Sequence, residues 1–296
     1  MPSKQFHDLM AMMSARGLNE KLGVDLLRKG FERIARLFND PGEAECTEVP
    51  ANGVPSDWIV PAGSREHTAL LFLHGGGYIM GSRNTHRGLA ARIARASRMH
   101  AIVPEYRLAP EYPFPAAVED ALAVYEWVLE QGIEPNHVAL AGDSAGGGLT
   151  LALLLTLRDR ALPLPACAAC LSPWTDMEAT GASVQVNSVL DPLLTERLLV
   201  KAAGAYLNGA SASHPYASPF HADFSGLPPL LIHVGGREVL LNDATRAAEK
   251  AQDAGVDVTL EVWEDMTHVW HYFAPLLPEG QEAVEKIGKF ILAHTT

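Results

Sequence analysis

The sequence predicts an α/β fold in which helices cover both faces of a mostly parallel sheet. From about residue 46 onward, short apolar runs typical of strands alternate with longer stretches of helical periodicity, and no internal repeat interrupts them. Such alternation is typical of parallel strands joined by helical crossovers. The chain has 296 residues, of which 48% are hydrophobic, so it can form one large domain with a small accessory element.

Seven strand-like runs support this fold, and helical patterns such as those at 116–130 and 149–160 separate most of them. The runs lie at residues 58–60, 69–73, 101–103, 138–141, 166–171, 230–234 and 258–262. In an open parallel sheet, ligands bind beyond the carboxyl ends of the strands. Polar residues directly after these runs are therefore the candidates for a functional site.

A serine at a sharp turn is the most informative of these residues. The motif Gly-Asp-Ser-Ala-Gly at 142–146 centres on Ser144 and stands between the apolar run 138–141 and a helix-forming stretch. A strand–turn–helix junction this tight strains the serine backbone, requires small neighbours and exposes the hydroxyl above the sheet. The motif alone would also fit a glycine-rich loop, but its strand and helix context favours a nucleophile.

A run of three glycines forms the second signal. His-Gly-Gly-Gly-Tyr occupies residues 74–78, directly after the strand-like run 69–73. Consecutive glycines let backbone N–H groups approach a ligand closely. In acyl transfer these donors stabilise the developing oxyanion, and each can be worth about 3 kcal/mol. The alternative interpretation of the motif is a flexible turn.

A base and an acid are expected further along the chain, in loops that follow later strands. His268 comes after the last strand-like run and a short loop, and it is the predicted base; His271, three residues on, is the weaker candidate. Glu238 lies in the loop just after the run at 230–234 and is the predicted acid. Asp243 is the alternative, but its position at the start of the next helix suits a charge at a helix terminus.

Together these motifs resemble those of the hormone-sensitive lipase-like esterases, which are the bacterial family IV of the α/β-hydrolases. The likeness spans roughly residues 45–295 and includes the segments 106–117 and 172–174. It implies that the amides of Gly76, Gly77 and Ala145 form the oxyanion hole. By the same resemblance, Ser144 is the nucleophile and His268 is the base. The family's acid is usually Asp, so Glu238 is a departure that still supplies a carboxylate to orient the imidazole.

The resemblance implies a serine carboxylesterase that hydrolyses short- to medium-chain esters through an acyl-enzyme, with no metal or organic cofactor. The alternatives are an amidase, deacetylase or lactonase with the same triad. A small-molecule receptor on the same fold is the alternative from another class, which the presence of His268 beside the other catalytic residue types disfavours. Dimers are common in the family, so a homodimer is expected.

The predicted organisation has four segments. Residues 1–45 are N-terminal cap helices, 46–177 and 211–296 form the two parts of the core, and 178–210 are a cap insertion. Within the first segment an apolar stripe predicts an amphipathic helix that buries one face. The stripe consists of Val24, Leu27, Phe31, Ile34 and Phe38.

By the resemblance, the two cap segments cover the pocket. Apolar side chains from Met10, Met13, Phe31 or the 180–210 region are then expected to line it, and a covered pocket of bounded size favours short acyl chains.

Composition excludes several classes of protein. The net charge of −12 argues against nucleic-acid binding and against anionic membrane surfaces. No signal peptide or bilayer-spanning stretch is recognisable, which favours the cytoplasm. Of the three cysteines, Cys167 and Cys170 form a C-x-x-C pattern, but they lie in a strand-like run and are interpreted as buried structural thiols rather than as a zinc or redox site.

Overall fold

One sheet of eight strands organises the molecule, whose computed structural model describes residues 2–14 and 22–295. The strands are β1 (Glu45–Ala51), β2 (Val54–Val60), β3 (Ala69–Leu73), β4 (His100–Pro104), β5 (Val138–Asp143), β6 (Cys167–Leu171), β7 (Leu230–Gly235) and β8 (Val258–Trp263). Their order across the sheet is β1-β2-β4-β3-β5-β6-β7-β8. The pairs β1–β2 and β2–β4 are antiparallel, and every pair from β4 to β8 is parallel.

The predicted α/β fold is confirmed, and each of the seven strand-like runs overlaps a strand. The sequence did not indicate β1, which forms one edge of the sheet and begins at Glu45, inside the segment assigned to the cap. Six of its seven residues are exposed or only half-buried, so β1 has no apolar run by which to recognise it.

Helices cover both faces of the sheet. They are α1 (Lys4–Ser14), α2 (Val24–Ala35), α3 (Arg83–Ser97), α4 (Ala116–Glu130), α5 (Ala145–Asp159), α6 (Ser183–Val186), α7 (Glu196–Leu207), α8 (Leu241–Asp253) and α9 (Pro278–His294). Successive residues of a strand point to opposite faces. On β3, accordingly, Leu71 and Leu73 belong to the core that contains α4, α5 and α8, whereas Leu70 and Phe72 belong to the core of α3 and α9.

The helices α1 and α2 fall within the predicted N-terminal cap, and α6 and α7 fall within the predicted insertion. In the apolar stripe, Leu27 and Phe38 are buried, but Ile34 is 47% exposed, so the expectation that the whole stripe is buried is wrong. Ile34 borders a cavity instead of packing on the core. Hydrogen bonds from Arg28 to the carbonyl groups of Ile79 and Ala109 hold α2 against the core.

The two thiols of the C-x-x-C pattern are buried in β6, as their interpretation as structural residues requires. Burial raises the pKa of both Cys167 and Cys170 to about 12, so neither is a ready metal ligand or nucleophile. Within the two described ranges, no helix has both the length and the apolar character needed to cross a bilayer.

Candidate active site

Ser144 occupies the turn between β5 and α5 in a strained backbone conformation, with φ of 55° and ψ of −121°. Its N–H donates to the Leu171 carbonyl (2.8 Å), and its own carbonyl accepts from the N–H of Trp174 (2.9 Å). A Cβ added at Gly146 would lie 2.0 Å from the Leu73 carbonyl oxygen, so only glycine fits there. These contacts hold the serine at the end of the sheet, where it borders a cavity.

The glycine motif forms a tight turn beside Ser144. Gly76 has φ of 119° and Gly77 has φ of 64°, backbone conformations that residues with a side chain rarely adopt. A Cβ on Gly76 would meet the Met80 carbonyl oxygen at 2.2 Å. Both glycines border the same cavity as Ser144. Ala145 is the first residue of α5, where an N–H group has no acceptor within the helix and is available to an anion.

His268 and Glu238 form a buried pair. The Nδ1 atom of His268 lies 2.6 Å from Oε2 of Glu238, whose side chain is completely buried. The other carboxylate oxygen accepts hydrogen bonds from the Ser172 hydroxyl (2.8 Å) and the Gly235 N–H (2.5 Å). Ser172 Oγ also accepts from the N–H of Val269, which follows the histidine. One serine therefore links the acid to the loop that carries the base.

Electrostatics favour the charged form of this histidine. Burial alone lowers the pKa of His268, but the charge and hydrogen bond of Glu238 outweigh it, and Asp191 and Asp143 act in the same direction, so the pKa is raised. Asp191, from the insertion, is bound to the Val239 N–H (3.0 Å). Neither Asp191 nor Ser172 was singled out as functional from the sequence. Both act through tertiary contacts that no local pattern reveals.

The alternative acid, Asp243, is bound elsewhere. It lies in the first turn of α8, and its Oδ2 accepts from the backbone N–H groups of Thr175 and Asp176, each at 2.9 Å. Burial raises the pKa of Asp243 to about 7. The weaker base candidate, His271, is buried in a short 3-10 helix with Nε2 3.2 Å from Nδ1 of His233. In the described residues, the pair that meets is therefore Glu238 with His268.

A cavity of about 900 Å³ opens beside Ser144 and His268. Most of its lining is apolar, and it comes from both cap segments as well as from the core. The cap contributes Met12, Met13, Phe31, Ile34 and Leu37 from the N-terminal segment and Leu193, Leu194, Leu198 and Leu199 from the insertion. Met13 and Phe31 were expected in this lining. Met10 was expected too, but it packs against the core, and Met12 takes its place.

One group of side chains has ligand atoms close enough to share a cation. The oxygen and nitrogen atoms of Asp176, Glu178 and His221 lie within 4.8 Å of one another. Arg246 already binds Asp176 Oδ2 at 2.9 Å, and none of these residues lines the cavity. The cluster is therefore separate from the serine site, and hydrolysis without a cofactor stays a prediction.

Comparisons with known proteins agree with this fold. A family model described as an alpha/beta hydrolase fold matches residues 70–272. The chain is 44% identical over 272 residues to an acetyl-hydrolase of Streptomyces hygroscopicus, covering 92% of this chain and 91% of that protein. It is 34% identical over 271 residues to an esterase of Acinetobacter venetianus, covering 91% and 89%.

Solved structures are similar along the whole chain. A crystal structure of an esterase from the bacterial hormone-sensitive lipase family superposes with a TM-score of 0.97 at 44% identity, covering 100% of both chains. The structure of the esterase EstE5 from a crystal soaked with p-nitrophenyl butyrate superposes with a TM-score of 0.95 at 45% identity, covering 99% of both.

Proposed function

Because the chain belongs to the alpha/beta hydrolases, in their hormone-sensitive lipase family, and is a carboxylic ester hydrolase, we propose that it uses a triad of Ser144, His268 and Glu238. Its substrates in this proposal are esters of short- to medium-chain carboxylic acids, and its intermediate is an acyl-enzyme. No metal or organic cofactor takes part.

The contact between His268 and Glu238 is the observation that carries the proposal. At 2.6 Å, Nδ1 of the imidazole and the buried carboxylate are within hydrogen-bond distance, which leaves Nε2 to act as the base. Ser144 and His268 border the same cavity, so a substrate there can reach both. A histidine whose Nδ1–H is held by a carboxylate is in the tautomer required of a general base.

In the proposed mechanism, Ser144 Oγ attacks the ester carbonyl while His268 Nε2 takes its proton. Glu238 stabilises the imidazolium that forms. The N–H groups of Gly76, Gly77 and Ala145 bind the negative oxygen of the tetrahedral intermediate. His268 then protonates the leaving alcohol, and water repeats the same steps on the acyl-enzyme. Each proton moves between His268 and a reacting oxygen, so the chemistry requires no cofactor.

The apolar lining of the cavity supports the proposed acyl preference. We propose that residues 1–45 and 178–210 act as a cap, since both contribute apolar side chains to the cavity. Each buried methylene adds about 0.8 kcal/mol until the pocket is full, so acyl chains of about two to eight carbons should be preferred. The name of the Streptomyces relative, an acetyl-hydrolase, supports acetyl esters as members of this range.

The test is a rate series with p-nitrophenyl esters from acetate to palmitate, together with organophosphate labelling of the protein. We expect the highest kcat/KM at or below eight carbons, and a mass increase on the peptide that contains Ser144. A matched anilide tests for amidase activity, and a series of lactones tests for lactonase activity. If either were turned over faster than the ester, that activity would take the place of the proposed esterase activity. A protein that binds the esters but is neither labelled nor active would be a receptor.

We also propose a homodimer. Strand β8 is the last strand of the sheet, so one of its sides has no neighbouring strand among the described residues, and Val262 on it is 43% exposed. An edge strand of this kind can pair with a second copy of itself. Light scattering should give twice the monomer mass, and Val262→Lys should reduce it to that of a monomer. A monomeric parent protein would contradict the proposal.

A further inference from the structure

A second buried pair of an acid and a histidine lies next to the nucleophile. Asp143 directly precedes Ser144, and its side chain and that of His86 are both almost completely buried at the border of the cavity. The Nε2 atom of His86 lies 3.3 Å from Oδ2 of Asp143. The mechanism above uses neither residue.

Asp143 connects this pair to the glycine motif. Its Oδ1 accepts a hydrogen bond from the Gly75 N–H at 3.0 Å. The carboxylate packs closely against the motif, since a Cβ on Gly75 would be 2.2 Å from Oδ2. Gly75 directly precedes the two glycines whose N–H groups are the proposed oxyanion donors. The orientation of the Asp143 carboxylate therefore affects the direction of the Gly76 and Gly77 N–H groups.

Further contacts hold the His86 ring in place. Its Nδ1 lies 2.7 Å from the hydroxyl of Thr85, which belongs to the capping box of α3. The His74 ring stacks on it at a centroid distance of 5.5 Å, and Phe31 from the cap meets its edge at 5.7 Å. Burial lowers the pKa of His74 to about 3, so His74 brings no positive charge to Asp143 at neutral pH. Among the described residues, the side chain positioned to donate to Asp143 Oδ2 is therefore that of His86.

We propose that His86 is a positioning residue for hydrolysis, which holds Asp143 so that Gly75, and with it the N–H groups of Gly76 and Gly77, stay aimed at the oxyanion. The inference rests on the proposed function of Ser144. Without His86, Oδ2 would be buried with no donor, and the carboxylate would turn or take up a proton. Loss of His86 should therefore reduce stabilisation of the transition state more than affinity for the substrate, because the oxyanion forms only in the transition state.

Two variants of His86 separate hydrogen bonding from packing. His86→Gln keeps an N–H donor near the position of Nε2, whereas His86→Phe fills the space but donates nothing. Losing one oxyanion donor costs on the order of 10²–10³ in kcat, so a displaced loop should cost the Phe variant about 10- to 100-fold, with KM changed less than threefold. Affinity for a trifluoromethyl ketone, which forms a tetrahedral oxyanion on the serine, should fall by a similar factor. The Gln variant should recover most of both losses.

The control is His100→Gln, which removes a ring that packs edge-to-face with Trp58 away from the cavity. If the Phe variant does not fold, Thr85→Val takes its place, since it removes the hydroxyl partner of His86 at constant size and should lower kcat. An unchanged kcat in a folded variant, or equal losses for Gln and Phe, would overturn the inference alone. A parent protein without ester turnover or organophosphate labelling would overturn the proposed function, and the inference with it.

Discussion

The Nδ1 atom of His268 lies 2.6 Å from Oε2 of Glu238, although the two residues come from loops after different strands. The carboxylate is completely buried, and its second oxygen is bound by the Ser172 hydroxyl and the Gly235 N–H. Because both oxygens are held, the carboxylate cannot rotate away from the imidazole. This arrangement supports Glu238 as the acid of the proposed triad.

Replacing the nucleophile should abolish activity without unfolding the protein. In Ser144→Ala the strained backbone stays in place, while the attacking oxygen is lost. Removal of one triad member typically costs on the order of 10⁴–10⁶ in kcat. Turnover of p-nitrophenyl butyrate and circular dichroism would be measured together. Residual activity within tenfold of the parent would refute the assignment of Ser144.

The two candidate acids can be separated by three variants. Glu238→Gln removes the charge that stabilises the imidazolium, so kcat should fall by about 10²–10⁴. Glu238→Asp should keep part of the activity, because the carboxylate remains but is set back by one methylene. Asp243→Asn should leave kcat nearly unchanged, since an amide oxygen can still accept from the N–H groups of Thr175 and Asp176. A larger loss of kcat for Asp243→Asn than for Glu238→Gln would reverse the assignment.

Activity should fall on the acid side with a midpoint above about pH 6.5, the ordinary pKa of histidine. The base must be neutral to accept a proton, and the pKa of His268 is raised because Glu238 outweighs the effect of burial. As the pH falls, His268 is therefore protonated, and the active form is lost, at a higher pH than for an isolated histidine. The dependence of kcat/KM on pH reports this group in the free enzyme. In Glu238→Gln the midpoint should move to lower pH, and a midpoint that stays in place would contradict the pairing.

The anchoring of α2 should affect the pocket. Arg28 donates to the carbonyl groups of Ile79 and Ala109, and it also binds Glu111. In Arg28→Ala these bonds are lost, and the apolar lining that α2 supplies should loosen. We expect kcat/KM for butyrate to fall several-fold, mainly through KM. The exposed neighbour Lys29→Ala is the matched control. Equal kinetics for both variants would show that α2 does not shape the pocket.

The buried histidines away from the nucleophile should make the protein less stable in acid. Burial lowers the pKa of His233 to about 4, and burial beside His233 and His268 lowers the pKa of His271 further below its usual range. The unfolded chain takes up these protons near pH 6.5 and the folded protein does not. The contribution of each histidine to the free energy of unfolding is therefore fully present above pH 6.5. It is lost as pH falls toward the folded pKa, by about 1.4 kcal/mol per pH unit for each histidine.

Urea unfolding at several pH values between 7 and 5 would measure this slope. In His271→Phe one such group is gone, so the free energy of unfolding should depend less steeply on pH. His7→Gln, an exposed position, is the control and should keep the parent slope. A slope that is the same in all three proteins would rule out the contribution of His271.

The sequence by itself determined the features that local chemistry encodes. Alternating periodicities predicted the α/β fold, and seven of the eight strands were recognisable because their residues are apolar. The edge strand β1 was missed, since polar residues interrupt it and it has no apolar run. The candidate residues Ser144, Glu238 and His268 were found because each comes just after a strand, where the chain turns at one end of a parallel sheet.

Only the tertiary structure decided which of these residues meet. Parallel pairing of β6 with β7 and of β7 with β8 brings the loops that carry Ser172, Glu238 and His268 to one edge of the sheet. That pairing joins residues far apart in the chain, so no local pattern distinguishes Glu238 from Asp243 by its partner. The exposure of Ile34 and the contact of His86 with Asp143 were equally invisible. Burial and hydrogen bonding at these positions depend on which elements pack together, and periodicity says nothing about that.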